Sequence, residues 1–167
     1  MKVILFDLGN TLENTQAGGL LPGALKTLKS IQEMKSADGS PAVLALISDF
    51  GDIPATPEQI KASMQEYLGI IEDLGIRKFF EPIAKRITLS TQAGATKPSK
   101  VIFGSAIKKI SSQLKFGDVM FITENKSHVT AARGLGMKAI HFKGPGEING
   151  DVKKLPDLIP IVRQFVK

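Results

Sequence analysis

Four polar positions next to apolar runs or a proline could do chemistry together. Asp7 follows the run Val3-Ile4-Leu5-Phe6, Ser48 follows Leu44-Ala45-Leu46-Ile47, Lys97 precedes Pro98, and Glu124 follows Phe121-Ile122-Thr123. A carboxylate can attack phosphorus, a hydroxyl and a lysine can bind the phosphoryl oxygens, and a second carboxylate can hold Mg²⁺. These residue types predict phosphoryl transfer, with Asp7, Ser48 and Lys97 as the catalytic candidates.

Alternating strands and helices must position these residues. Continuous short apolar runs predict buried strands, and apolar residues at helical spacing predict helices. The predicted strands are residues 2–6, 42–47, 83–89, 119–122 and 139–142; the predicted helices are 22–34, one opened by the capping box Thr56-Pro57-Glu58-Gln59, 99–111, 126–135 and 155–166. This order predicts an α/β fold, a doubly wound and mainly parallel sheet of about five strands with helices on both faces. Ligands of such sheets bind outside the carboxyl ends of the strands, where the candidate residues fall.

Composition narrows the class of protein. The chain has 167 residues, so residues 1–167 are predicted to form one domain. The absence of cysteine excludes disulfides and thiol chemistry, and the two histidines, His128 and His141, are expected to be structural or surface residues. No apolar run approaches the roughly 18 residues of a membrane span, and no signal sequence is evident at the start. We therefore expect a cytoplasmic protein with no membrane partner.

Positive charge is concentrated in residues 82–117, which contain seven Lys or Arg and no Asp or Glu. Such a segment could steer phosphate-bearing ligands, including nucleic acid. A solvated helix face is the favoured alternative, because the lysines are not interleaved with aromatic residues that would stack on bases. Nucleic acid is accordingly the weaker expectation for a partner.

Four motifs, in order along nearly the whole chain, resemble those of the haloacid dehalogenase-like (HAD) phosphatase superfamily. The family opens with an apolar strand and Asp-x-Asp-x-Thr, which residues 3–12 match except at the second acid, and its second motif is a strand ending in Ser or Thr, here Ser48. Residues 97–103, Lys-Pro-Ser-Lys-Val-Ile-Phe, match the third motif, and residues 121–137 are similar to the fourth. The resemblance implies a Mg²⁺-dependent phosphohydrolase that forms an aspartyl-phosphate on Asp7.

The resemblance also implies the ligands of the metal and of the phosphate. Mg²⁺ would be held by the Asp7 carboxylate, the backbone carbonyl of Gly9 and the Glu124 carboxylate. The substrate phosphate would lie near Asn10, Thr11, Ser48, Asp49 and Lys97. For Asn10 and Thr11, a role in a local turn and a role in orienting Asp7 are equal alternatives.

Two departures from the family pattern bear on mechanism. Gly9 replaces the second Asp, which protonates the leaving group, and general acid–base help is worth roughly 10²- to 10⁴-fold. Glu13, Asp49 or Asp52 could replace that acid, although each is more typical of a solvated loop. Glu124 is one methylene longer than the usual Asp, and Mg²⁺ demands near-octahedral geometry. We expect a preference for acyl or aryl phosphates and slow dephosphorylation.

The spacing of the motifs leaves no room for the cap domain that many relatives insert. An open site implies a phosphorylated substrate, small or macromolecular, or a small phosphate shielded by a neighbouring subunit of a homo-oligomer. The departures also keep a second interpretation open, a catalytically degenerate member that binds or regulates. A receiver domain uses the same residue types but carries its aspartate on the third strand.

Overall fold

A five-stranded sheet forms the centre of the fold. The computed structural model describes residues 1–167. The strands are β1 (Val3–Phe6), β2 (Val43–Ser48), β3 (Ile87–Leu89), β4 (Val119–Thr123) and β5 (Lys138–His141), in the spatial order β3-β2-β1-β4-β5. All four pairings are parallel. The predicted doubly wound parallel sheet is confirmed.

Seven helices connect and flank the strands. They are α1 (Ala24–Gln32), α2 (Pro57–Asp73), α3 (Ile83–Arg86), α4 (Ser90–Ala93), α5 (Lys100–Ile110), α6 (Lys126–Gly134) and α7 (Leu158–Val166), with 3₁₀ turns at Arg77–Phe80, Phe116–Asp118 and Leu155–Asp157. The predicted capping box opens α2: the Gln59 side chain accepts from the Thr56 N–H, and the Thr56 hydroxyl accepts from the Gln59 N–H. None of the helices is long and apolar enough to cross a membrane.

The predicted strand over residues 83–89 is wrong in its first half. The Glu81 carboxylate accepts from the Ile83 N–H at 3.2 Å, and the Pro82 carbonyl accepts from the N–H groups of Lys85 and Arg86. These bonds satisfy the first turn of α3, so the chain begins as a helix. Only Ile87–Leu89 remain to pair with β2.

Each face of the sheet carries its own apolar layer, because successive strand residues point to opposite sides. Ile4, Leu44 and Met120 belong to the layer covered by α1, α2 and α7, whereas Leu5, Ala45 and Phe121 belong to the layer covered by α5 and α6. Tyr67 and Ile71 of α2 are buried in the first layer. The segment between β2 and β3 therefore packs on the sheet instead of forming a separate cap.

The topology brings the ends of β1, β2 and β4 together. The chain passes from β1 to β2 and β3 on one side and returns to β4 on the other, so the strand order reverses between β1 and β4. The register pairs Phe6 with Leu46 on one side and with Ile122 on the other. Asp7 therefore emerges beside Thr123 at the switch point of the sheet, the usual place for a ligand.

Candidate active site

Asp7 and Lys97 form a buried ion pair at the end of β1. The Lys97 ammonium Nζ lies 2.6 Å from Asp7 Oδ1, and the two side chains are 4% and 10% exposed, respectively. The backbone N–H of Leu8 donates to the same carboxylate oxygen at 2.9 Å. The Thr123 hydroxyl donates to Asp7 Oδ2 at 3.0 Å. Asp7 is thus fixed by contacts to both of its oxygens, and a small part of its side chain is exposed.

The loop that carries Lys97 is tied to the end of β2. Asp49 Oδ1 accepts a hydrogen bond from the Lys97 backbone N–H at 2.8 Å. A second contact fixes the chain after β2 to the start of α4, since the Ser90 hydroxyl accepts from the Phe50 N–H and donates to the Phe50 carbonyl. Asp49, predicted as a substrate contact, therefore uses one carboxylate oxygen to position the lysine.

Glu124 is held beside Asp7 by two threonines. The Thr11 hydroxyl donates to Glu124 Oε2 at 2.8 Å and accepts from the Glu124 backbone N–H at 3.1 Å. The Thr123 hydroxyl, which bonds Asp7, is also 3.2 Å from Glu124 Oε2. Thr11 is fully buried, so in the structure it orients Glu124, whereas the sequence predicts a phosphate contact.

Ser48 lies at the same edge of the sheet and is bonded to a tyrosine. Its hydroxyl is 2.7 Å from the Tyr67 hydroxyl of α2, and both residues are buried. Burial, with further contributions from the Asp7 and Glu13 carboxylates, raises the pKa of Tyr67 far above its ordinary value. The phenol therefore stays protonated and can act as a hydrogen-bond donor to Ser48.

Asn10 and Gly9 lie in the loop after β1, where Asn10 adopts a left-handed backbone conformation with φ of 54°. Asn10 Oδ1 accepts from the Thr15 hydroxyl at 2.7 Å and from the Thr15 N–H at 3.2 Å, so this oxygen serves the local turn. A Cβ added at Gly9 would lie 3.2 Å from Thr15 Cγ2. The methyl group of Thr15 thus occupies the space beside the position of the missing acid.

The residues predicted to hold Mg²⁺ fit a hard divalent cation. Burial, reinforced by the Asp7 charge, raises the pKa of Glu124, which indicates two close carboxylates that a cation would stabilise. No protein group donates to the Gly9 carbonyl oxygen, which leaves that oxygen free to coordinate. A cluster of three or more acidic or imidazole ligands is absent, so the donor set comprises two carboxylates and a backbone carbonyl.

Gly144, in the loop after β5, packs against the base of the Glu124 side chain. A Cβ at Gly144 would lie 3.0 Å from Glu124 Cβ and 3.2 Å from the Asn10 carbonyl oxygen. His141 supports the same region, with Nε2 at 2.8 Å from the Glu124 carbonyl, consistent with the structural role expected for it. Glu124 is therefore supported from the side of β5 by Gly144 and His141.

His128 lies closer to the site than the sequence predicts. It is in the first turn of α6, whose N-terminus is capped by the Asn125 side chain. Burial and the nearby Lys97 charge lower the pKa of His128, and its Nδ1 is buried without a hydrogen-bond partner. Glu13 and Asp52 are two of the candidates to replace the missing acid at Gly9. The charge of Glu13 contributes to the raised pKa of Tyr67, and Asp52 is exposed in the loop before α2.

Sequence reasoning missed Tyr67, Thr123 and Gly144 as parts of this site. Tyr67 is the only tyrosine of the chain and lies on the apolar face of α2, and this position is typical of an ordinary core residue. Thr123 ends the apolar run before Glu124, and no role is predicted for it from the sequence. A hydroxyl residue at the end of a buried strand beside an acidic one is the signal that could have identified it.

Comparison with solved structures identifies the fold. A HAD-superfamily hydrolase from Ehrlichia chaffeensis aligns with a TM-score of 0.66 and 16% identity, covering 100% of both chains. The fold is that of the HAD-like hydrolases. HAD-hydrolase YfnB from Bacillus subtilis, in a structure bound to magnesium, aligns with a TM-score of 0.59 and 16% identity, covering 86% of this chain and 56% of YfnB.

The HAD-like fold serves more than one chemistry among these neighbours. The L-2-haloacid dehalogenase from Xanthobacter autotrophicus, in a structure with chloropropionic acid covalently bound, aligns with a TM-score of 0.58 and 11% identity, covering 83% of this chain and 76% of that enzyme. Neither a protein-family model nor a curated protein matches the sequence. The similarity to solved structures therefore establishes the fold. The reaction depends on the residues of the site and not on the fold alone.

Proposed function

We propose that the protein is a HAD-like phosphohydrolase that uses Mg²⁺ and forms an aspartyl-phosphate on Asp7. One observation carries the proposal: a buried Asp7 carboxylate contacts Lys97 at 2.6 Å and shares the Thr123 hydroxyl with the Glu124 carboxylate. This arrangement supports the proposal because it would supply a nucleophile, a cation for phosphoryl oxygens and a second metal carboxylate at one edge of the sheet.

In the first step, an Asp7 carboxylate oxygen forms a bond to phosphorus while the bond from phosphorus to the leaving oxygen breaks. The Lys97 ammonium and the Ser48 hydroxyl would bind the non-bridging oxygens, where negative charge accumulates. Asp7, the Gly9 carbonyl and Glu124 would hold Mg²⁺, which when bound offsets the charge of the phosphoryl group and of the two carboxylates. In the second step, water attacks phosphorus, phosphate leaves, and the Asp7 carboxylate is regenerated.

The proposed mechanism lacks an efficient proton donor for the leaving group. Gly9 supplies no acid, and the phenol of Tyr67 is a poor proton donor because its pKa is raised. The leaving oxygen must therefore be stable without a proton, as in aryl and acyl phosphates. Water must also attack without a strong base, so the second step is expected to be slower than the first.

The neighbouring structures bear on two alternatives. Magnesium in YfnB supports a metal-dependent reaction, whereas the dehalogenases show the same fold in a reaction at carbon. The pair of carboxylates favours the metal-dependent reaction, because a second anionic side chain beside Asp7 opposes binding of a haloacid carboxylate. A non-enzymatic binding or regulatory role is favoured by the missing acid at Gly9 and by Glu124 in place of the usual Asp.

The test is a panel of 4-nitrophenyl phosphate, acetyl phosphate, an alkyl phosphate and 2-chloropropionate, assayed with and without Mg²⁺. The expected result for wild type is a burst of 4-nitrophenol and a slower steady rate, both abolished in Asp7→Asn. Chloride release from 2-chloropropionate would support the dehalogenase reaction instead. No Asp7-dependent turnover, together with no Mg²⁺ binding by calorimetry, would support the degenerate alternative.

A further inference from the structure

A lysine-lined groove adjoins the proposed active site and has no role in the mechanism above. We call this cavity of about 560 Å³ the lysine groove; it is lined by Lys143, Lys153 and Lys154 over a floor that includes Leu21 and Pro156, with Asn14 at one side. The segment after β5 supplies all three lysines. The groove therefore combines positive charge with an apolar floor.

The lysine groove lies next to Glu124 of the proposed active site. Gly144 lines the groove and packs so closely on Glu124 that a Cβ there would lie 3.0 Å from the Glu124 Cβ. On the other side, Asn14 uses its Oδ1 to accept from the N–H groups of Gln16 and Ala17, which leaves its amide NH₂ for a ligand. The groove and the proposed active site thus adjoin at the contact between Gly144 and Glu124.

The backbone fixes where the lysines stand. Phe142 and Val152 form a parallel bridge, and the Lys143 N–H donates to the Val152 carbonyl at 2.8 Å, so Lys143 and Lys153 are neighbours. Lys154 follows directly and precedes the fully buried Leu155. The three ammonium groups therefore come from an ordered segment, in keeping with a preformed subsite.

The groove lysines have no acidic partner within the chain. Asp151 of the same segment forms an ion pair with Arg133 at 2.8 Å, and the Glu147 carboxylate lies 3.5 Å from His141. None of the three groove lysines forms an ion pair. Their charge therefore favours an anionic ligand.

We propose that the lysine groove binds a second phosphate group, at the non-reacting end of the substrate. The inference rests on the proposed function for the position of the reacting end. It narrows the substrate class to bisphosphates whose linking segment is partly apolar, since that segment would lie on the Leu21 and Pro156 floor. A cap is then unnecessary for selection, because the core domain carries its own specificity element.

The experiment measures binding, so it does not depend on turnover. Butyl phosphate, butane-1,4-diyl bisphosphate and its hexane-1,6-diyl homologue are titrated into the protein with Mg²⁺ by calorimetry. We compare wild type with Lys153→Ala/Lys154→Ala and with the glutamine pair, which keeps long side chains. Lys100→Ala/Lys108→Ala is the matched control, because it removes the same charge from a different cavity on α5.

In wild type, at least one bisphosphate is expected to bind about five- to tenfold more tightly than butyl phosphate at low salt. The preference should fall to about twofold or less in both groove variants and persist in the α5 control. Equal binding of mono- and bisphosphates by wild type would overturn the inference. So would an equal loss in the groove and α5 variants, which would indicate general charge attraction. Absence of Asp7-dependent turnover with the lysine-dependent preference intact would instead refute the proposed reaction.

Discussion

Replacing Tyr67 with phenylalanine isolates the contact that orients the Ser48 hydroxyl. The two hydroxyl oxygens are 2.7 Å apart, and the tyrosine ring packs edge-on against Phe50 with centroids 5.3 Å apart. Phenylalanine keeps that ring contact and removes only the hydroxyl. Either hydroxyl can donate in this contact, and the phenol stays protonated. When the phenol donates, the single proton of Ser48 is free for a phosphoryl oxygen.

The expected loss in kcat/KM follows from the orientation of the Ser48 hydroxyl proton. Without the phenol, the Ser48 hydroxyl can rotate among about three staggered positions, which costs roughly threefold in the productive orientation. Ser48 is buried, so leaving its oxygen without the donor costs about 1–2 kcal/mol in the free energy of unfolding. We expect Tyr67→Phe to lower kcat/KM roughly three- to tenfold and to lower the melting temperature modestly.

A double-mutant cycle with Ser48→Ala decides whether Tyr67 acts through Ser48. Steady-state hydrolysis of 4-nitrophenyl phosphate is measured for wild type, both single variants and the double variant, with thermal melts of each. In the Ser48→Ala background, Tyr67→Phe should have no further effect on kcat/KM. An equal loss in both backgrounds, or no loss in the single variant, would refute the assigned role.

Three further predictions address other parts of the site. Gly9→Asp should raise the turnover of alkyl phosphates about ten- to a hundredfold relative to Gly9→Ala, because it restores a general acid. The substitution should be tolerated, since only the exposed Thr15 methyl must move. Equal steady-state rates for the two variants would contradict this prediction. Thr11→Val should weaken Mg²⁺ binding in calorimetry and cost about 1–3 kcal/mol of stability, because it removes both hydrogen bonds to Glu124. The pKa of His128 is lowered in the folded protein, so the imidazole of the unfolded state is protonated first as pH falls through 6.5, and the free energy of unfolding decreases. In thermal melts without metal between pH 7.5 and pH 5, His128→Gln should therefore lose less stability than wild type. Parallel curves for the two proteins would be evidence against burial of the imidazole.

The strands and the main site residues were predictable because the signals are local. Buried parallel strands are continuous apolar runs, and Asp7 and Ser48 are the first polar residues after two of them. Once these strands pair in parallel, their carboxyl ends must share an edge. Lys97 and Glu124 then follow from their places in the motifs, and the ion pair at 2.6 Å agrees with that placement.

The hydrogen-bond partners within the site could not be predicted. Ser48 and Tyr67 are 19 residues apart, and their contact depends on how α2 lies on the sheet. The predicted strand over residues 83–89 failed for a related reason, since the carboxylate of Glu81 satisfies the first turn of a helix. Apolar periodicity reports which face is buried and says nothing about such side-chain choices.

The two departures from the family pattern have opposite structural outcomes. The longer Glu124 is held in place, because Thr11 bonds both its carboxylate and its backbone. No acidic side chain lies within 4 Å of the position that a Cβ at Gly9 would take, where the nearest side-chain atom is the methyl carbon of Thr15. The residues proposed to receive a phosphoryl group therefore lie together, while Gly9 supplies no group to move protons during its release. On this argument the slow step is hydrolysis of the aspartyl-phosphate, so the phosphorylated protein should accumulate during turnover.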